Sequence, residues 1–362
     1  MKIGLIFGTR PEIIKLAPLI RELENRKIDY FMIHTNQHYS YEMDKLFFDE
    51  LKLPIPKYNL DCGFDSFRKQ VSFMSKKTIE ILKKEKPDHF MVYADPTSCL
   101  AGALAAAKTN CTIHHIEAGL RSHDTKMLEE TNRITTGQLA DYHFASTEIG
   151  KKYLIEEGTN PSKIYVVGNT IVDAVYQNIE LANKNCNILN KLNLEKEKYF
   201  LITFHRAENV DNKERLSGIL ESLKLIYNKY NLPVIYPIHP RTKKMIKEFN
   251  LKIPDEIKVI EPTSFLEFLQ LEYNSKLIIT DSGGIQEESC ILKIPCVTLR
   301  DNTERPETLE IGSNILAGVN PKRILECVDI MYSKERNWKH PYGDGKTAIK
   351  ILNIIEGLST KT

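Results

Sequence analysis

The chain alternates short unbroken apolar runs with longer stretches in which apolar residues recur every three or four positions. Runs of the first kind predict buried parallel strands, and the 3.6-residue repeat predicts helices. Residues 3–7 form the first run. It stops at Gly8-Thr-Arg-Pro-Glu12 and gives way to a helical pattern over residues 13–23. Thr9 with Glu12 fits a capping box, and Pro11 suits a first helical turn. Further strands are predicted at 30–34, 89–93, 111–116, 142–145 and 164–167, with a helix of small residues at 100–107. An Asn/Lys-rich stretch at about 178–198, read as a linker helix and loop, interrupts the alternation. It restarts with strands at 200–203, 233–236, 258–260, 277–280 and 295–298, and a last helix is predicted at 346–358.

Strand and helix in alternation give an α/β fold with parallel, doubly wound sheets. Two such series predict two Rossmann-like domains facing across a cleft. The expected domains are 1–172 and 199–345, with 173–198 as linker and helix 346–362 returning to the first domain. In open parallel sheets ligands bind beyond the carboxyl ends of the strands. Arg10, Asp95, Glu117, His205 and Ser282 all follow a predicted strand, and they come from both halves.

The stretch with the most evident chemistry runs from Leu277 to Leu292. A buried strand ends in Asp281-Ser-Gly-Gly284, and a helix follows. Adjacent glycines let a backbone approach a ligand closely, and the unbonded N–H groups at a helix start favour an anion. Ser282 is placed to cap the helix or to meet a phosphate, and Glu288 to accept from a ribose. The same residues also suit a plain strand, turn and capped helix. Arg10 and Lys15 near another helix start could neutralise a diphosphate. Glu117 closes an apolar run, a setting that suits proton transfer. Glu129 and Arg133 are one turn apart, and His205-Arg206 suits a phosphate or general-acid role. His114 and His115 lie in a strand and point to opposite faces, so no metal site is expected there.

Composition narrows the field. The chain has 362 residues, 42% of them hydrophobic, and a net charge of +2. That balance gives no electrostatic argument for nucleic acid or an anionic membrane. Seven scattered cysteines without a C-x-x-C pair predict reduced thiols. No apolar run is long enough for a membrane span, and the first strand begins at once, so a cytoplasmic protein is expected. Gly345-Lys-Thr347 lacks the first glycine of a P-loop, and no G-x-G-x-x-G follows the first strand, so no nicotinamide cofactor is expected. No Asp-x-Asp tripeptide occurs, which argues against a metal-bridged nucleotide-sugar site.

Phe7-Gly-Thr-Arg-Pro-Glu12, His115-Ile-Glu-Ala-Gly-Leu-Arg121, Glu129-Glu-Thr-Asn-Arg133, His205-Arg-Ala-Glu-Asn209, Asp281-Ser-Gly-Gly-Ile-Gln-Glu-Glu288 and Thr303-Glu-Arg-Pro-Glu307 occur in the order of one family. The sequence closely resembles the non-hydrolysing UDP-N-acetylglucosamine 2-epimerases, nearly end to end. The resemblance implies a GT-B-like pair of domains, usually a homodimer. It implies interconversion of UDP-N-acetylglucosamine and UDP-N-acetylmannosamine by loss and return of UDP through a 2-acetamidoglucal. By that resemblance Arg10, Lys15, His205, Ser282, Gly283, Gly284, Glu288 and Arg305 hold the UDP, and Phe268 lies by the uracil. Asp95, Glu117 and Glu129 are the acid and base carboxylates, with His205 beside them, and no cofactor or metal takes part. Some positions depart from the family: Ala94-Asp95-Pro96 stands for a common Gly-Asp-Thr, Ala207 for a second Arg, and Thr263 for Gln. Family members from bacteria can bind a second substrate molecule as activator. Arg206, Glu208 and His239 match that region, whereas the segment near Gln37 does not. A hydrolysing epimerase, a glycosyltransferase of the same fold and a non-catalytic nucleotide-sugar sensor are the competing readings.

Overall fold

The computed structural model describes residues 1–36, 47–64, 66–124 and 126–359; Gln37 lies outside them. The chain divides into two compact units, residues 1–174 with 342–362, and residues 175–341.

Among the described residues the first unit holds seven parallel strands: β1 (Lys2–Phe7), β2 (Asp29–His34), β3 (Tyr58–Asn59), β4 (His89–Tyr93), β5 (Thr112–Ala118), β6 (Tyr142–Ala145) and β7 (Ile164–Val166). Their order is β3-β2-β1-β4-β5-β6-β7, so the chain starts in the interior and winds outward both ways. The central strands are buried on both faces, as their continuous apolar runs require: all five residues of β4 are inside. The small-residue helix Thr97–Ala106 lies very close to the sheet. A Cβ on Gly102 would come within 2.5 Å of the Ile6 side chain, which explains why the contact is built from Gly and Ala. The last helix, Thr347–Ser359, packs on Arg10–Arg26. Asp173 accepts from the backbone N–H groups of Thr347 and Ala348 at its start.

The second unit holds six parallel strands: β8 (Phe200–Thr203), β9 (Val234–Pro237), β10 (Ile257–Ile260), β11 (Leu277–Thr280), β12 (Cys296–Thr298) and β13 (Asn314–Leu316). Their order is β10-β9-β8-β11-β12-β13. The strand β11 lies between β8 and β12 and is wholly buried. Its core includes Phe200, Ile202, Leu277, Ile279 and Val297 from one face of the sheet, packed on Leu216, Ile219 and Leu223 of helix Lys213–Tyr230.

Both sheets are the parallel α/β kind that the alternation predicts. Two strands escaped the sequence reading, β3 and β13. They are two and three residues long and lie at sheet edges, too short to show a pattern. The stretch from 178 onward, read from the sequence as helix and loop, carries the end of helix Thr170–Asn185 and the short helix Ile188–Lys191. All seven cysteines are free thiols, six of them buried. No helix among the described residues is long and apolar enough to cross a membrane.

Candidate functional site

In the first unit the predicted residues gather at the carboxyl ends of β1, β4 and β5. The turn after β1 is held by Glu12. Its carboxylate accepts from the backbone N–H groups of Gly8 and Thr9 at 2.9 and 2.8 Å, from the Thr9 hydroxyl at 2.9 Å and from the Ser98 hydroxyl at 3.0 Å. The capping box is therefore present, and it fixes the loop that carries Arg10. Burial pushes the Glu12 carboxyl up to about 7, although these donors pull it down. A raised carboxyl keeps its proton in the folded chain at pH values where the unfolded chain has released it. Stability therefore falls as pH rises from 4.5 to about 7, by up to about 3 kcal/mol. Glu12→Gln is expected to remove that slope. Thermal unfolding of both proteins at about pH 5 and about pH 7 checks this; equal pH dependence in the two would refute it.

Glu117, the penultimate residue of β5, has φ +59, a left-handed conformation unusual for a residue with a side chain. The register of β5 on β6 shifts between Ile116 and Ala118 at the same point. Such bulges re-aim a side chain next to functional sites. The Glu117 carboxylate is buried and accepts from Lys15 Nζ at 2.7 and 2.9 Å and from the Tyr93 hydroxyl at 2.8 Å. That hydroxyl also lies 2.9 Å from Thr170 Oγ1. Lys15, expected with Arg10 as a diphosphate contact, is here the buried ionic partner of Glu117. Tyr93 was missed by sequence reasoning because it reads as the apolar end of a strand.

Asp95 is partly buried and ion-paired with Arg133. Arg133 also donates to Glu130 at 2.8 Å, and Glu130 accepts from the Ser122 and His123 backbone at 3.0 Å each. Asn132 donates to the Asp95 carbonyl at 2.9 Å. The partner of Arg133 within its helix is thus Glu130, whereas Glu129 is exposed. The departure at Ala94 has a visible consequence: Ala94 carries φ +51, where the family's glycine would be at ease. Its carbonyl is 2.8 Å from His115 Nε2. Burial lowers His115 to about 3, so this imidazole is neutral and donates.

In the second unit the centre is Asp281, fully buried at the end of β11. Its carboxylate accepts from the backbone N–H groups of His205 at 3.1 Å and Arg206 at 3.0 Å, and from Asn209 Nδ2 at 3.0 Å. One carboxylate thereby ties the loop after β8 to the loop after β11. His205 remains partly exposed, its ring 5.1 Å from that of His239. Burial lowers its pKa, the Asp281 carboxylate raises it, and Arg206 and Arg241 lower it further. His239 itself caps helix Pro240–Glu248 by accepting from the Arg241 N–H.

Ser282 is the N-cap of helix Gly283–Leu292, and its side chain makes no capping bond. A Cβ on Gly283 would stand 2.5 Å from Glu304 Oε1, so a side chain there would displace the Glu304 carboxylate. Glu304 accepts from Arg300 at 2.7 Å and from Arg206 at 3.2 Å. Burial would raise its carboxyl, but Arg305, Arg206 and Arg300 hold it well below the usual carboxylate range. Arg305 is buried with Nε 2.7 Å from Glu287. Glu288 is buried in the same helix, and Phe268 packs partly buried against Tyr199, Leu201 and Leu271. Asp281, the hub of this half, was quoted in a motif but given no role, since its partners lie more than seventy positions away.

This arrangement has close counterparts. The family model described as UDP-N-acetylglucosamine 2-epimerase matches residues 21–356. The chain belongs to the UDP-N-acetylglucosamine 2-epimerase family. The protein of that name from Methanocaldococcus jannaschii is 54% identical over 98% of this chain and 99% of its own. The crystal structure of that organism's enzyme in complex with UDP-GlcNAc and UDP superposes with a TM-score of 0.91, over 98% of this chain and 99% of that one. The Neisseria meningitidis enzyme bound to UDP-GlcNAc gives a TM-score of 0.90 at 32% identity, covering 99% and 100% of the two chains. The chain is therefore an enzyme of an epimerase family with the α/β fold of those structures.

Proposed function

We propose that the protein interconverts UDP-N-acetylglucosamine and UDP-N-acetylmannosamine by eliminating UDP and adding it back. The observation that carries this is the 54% identity over nearly the full chain to an epimerase whose structure holds UDP-GlcNAc and UDP. The local chemistry supports it. Epimerisation at carbon 2 needs a base for a weakly acidic C–H bond, an acid on the opposite face and a stabilised leaving group. The carbon-2 proton goes to a carboxylate, the pair of C–H electrons forms a carbon 1–carbon 2 double bond, and the anomeric C–O bond breaks with its electrons leaving on UDP. Return delivers a proton to the other face of carbon 2, and the UDP oxygen adds again to carbon 1. Atoms and electrons balance without a redox cofactor.

In this reading the second unit holds the leaving group. Ser282, Gly283 and Gly284 meet the diphosphate at a helix start, Arg305 adds charge and His205 a ring nitrogen, Glu288 takes the ribose and Phe268 lies by the uracil. Stabilising the departing diphosphate lowers the barrier to breaking the anomeric bond. The first unit handles protons through Asp95, Glu117 and Glu129, with Arg10 and Lys15 serving the diphosphate. The Lys15 ammonium and the Tyr93 hydroxyl both donate to the Glu117 carboxylate and fix its orientation. The resemblance also supports a homodimer in the cytoplasm.

Nuclear magnetic resonance of the protein with UDP-N-acetylglucosamine tests the reaction. A second UDP-sugar is expected, with no net release of UDP. Free N-acetylmannosamine with UDP would instead identify a hydrolysing epimerase. Turnover that waits on an added acceptor would identify a transferase, and binding without turnover a sensor.

A further inference from the structure

Gln286 lies in the first turn of helix Gly283–Leu292 and is fully buried. A buried amide is costly unless its donors and acceptor are met, and here they are. Its Nε2 donates to the Ser282 carbonyl at 3.3 Å. Its Oε1 accepts from the Thr303 hydroxyl at 2.6 Å and from Asn314 Nδ2 at 3.1 Å. Thr303 Oγ1 in turn accepts from the Arg305 backbone N–H at 3.1 Å. Asn314, at the start of β13, also donates to Thr308 Oγ1 at 3.1 Å, and the Thr308 hydroxyl donates to the Arg305 carbonyl at 2.8 Å. The Thr298 hydroxyl, at the end of β12, donates to Asn314 Oδ1 at 2.8 Å. Each of these donors meets an acceptor, which fixes which way both amides face. One glutamine therefore joins the turn after β11 to the loop after β12, and that loop is held at both the N–H and the carbonyl of Arg305. The Arg305 guanidinium has a separate hold on Glu287, with Nε at 2.7 Å. The same helix thus sets the main chain of the loop through Gln286 and the side chain of Arg305 through Glu287.

We propose that Gln286 is a positioning residue of the diphosphate half of the site: it ties the Ser282 turn to the Arg305 loop, so that a helix start and a guanidinium meet one diphosphate together. This rests on the reading of Ser282, Gly283, Gly284 and Arg305 as diphosphate contacts. Leucine at 286 keeps most of the volume and breaks the bridge from the helix side. Valine at 303 breaks it from the loop side, at a position that is only partly buried. Serine at 303 keeps the hydroxyl and with it the bridge.

UDP carries a second phosphate that UMP lacks. Calorimetric titration of both nucleotides into wild type, Gln286→Leu, Thr303→Val and Thr303→Ser tests the proposal. Wild type is expected to favour UDP by about ten-fold or more, as hydrogen bonds to a charged group do. Gln286→Leu and Thr303→Val should each bring that preference down to about three-fold or less, a change of the size of one ordinary hydrogen bond. Thr303→Ser should keep it. A loss of stability alone would weaken UDP and UMP alike and leave their ratio where it was. Full preference for UDP in Gln286→Leu or in Thr303→Val overturns the inference, and so does a Thr303→Ser protein that falls as far as Thr303→Val. Should Gln286→Leu fail to fold, the two Thr303 variants decide. A wild type that binds UMP as tightly as UDP overturns the diphosphate reading itself, and the inference falls with it.

Discussion

Glu117→Gln is expected to lower turnover by about 10³-fold while the chain remains folded, as loss of a general base does. The side chain keeps its shape, but an amide does not accept a proton from carbon 2. The substitution also leaves the Lys15 ammonium, bonded to Glu117 at 2.7 Å and largely buried, without its counter-charge. Breaking a buried pair from one side costs about 3 kcal/mol. Adding Lys15→Met to Glu117→Gln should therefore recover stability and leave activity lost. Melting temperature and turnover then part company. A single variant that keeps more than a tenth of wild-type turnover would remove Glu117 from the proton chemistry.

Asp281→Ala is expected to be the most damaging change in the second unit. Asp281 is fully buried and accepts from His205, Arg206 and Asn209, all N–H donors. Charge-assisted hydrogen bonds contribute about 1.5–3 kcal/mol each, and they are not additive. A loss of about 3 kcal/mol or more follows, together with at least about ten-fold weaker UDP binding, because His205 and the Ser282 turn lose their common support. Denaturant unfolding and calorimetry read the two effects. Asp281→Asn should fall between, since one oxygen still accepts but the amide hydrogens face N–H groups. UDP affinity within two-fold of wild type in Asp281→Ala would contradict this account.

Much of this architecture was legible in the sequence because buried parallel strands are plain apolar runs. Phe200–Thr203 and Leu277–Thr280 were found to the residue. The rule that ligands meet the carboxyl ends of strands then picked out Arg10, Asp95, Glu117, His205 and Ser282. Sequence could not pair them. Lys15 and Glu117 are 102 positions apart, and no local pattern joins them. Nor could it fix helix phase: Glu129 and Glu130 are neighbours about 100° apart on a helix, and only Glu130 faces Arg133. The left-handed backbone at Glu117 and the shared supports Asp281 and Tyr93 depend on tertiary contacts, which periodicity does not record.

Elimination and return of UDP through a glucal breaks the carbon-2 C–H bond, and the proton returned to the other face comes from a group that has exchanged with solvent. The direct measurement is turnover of UDP-N-acetylglucosamine in heavy water, followed at carbon 2 by nuclear magnetic resonance. Deuterium should enter carbon 2 of the UDP-N-acetylmannosamine formed and of the recovered UDP-N-acetylglucosamine. Product that retains its original carbon-2 proton would contradict the account.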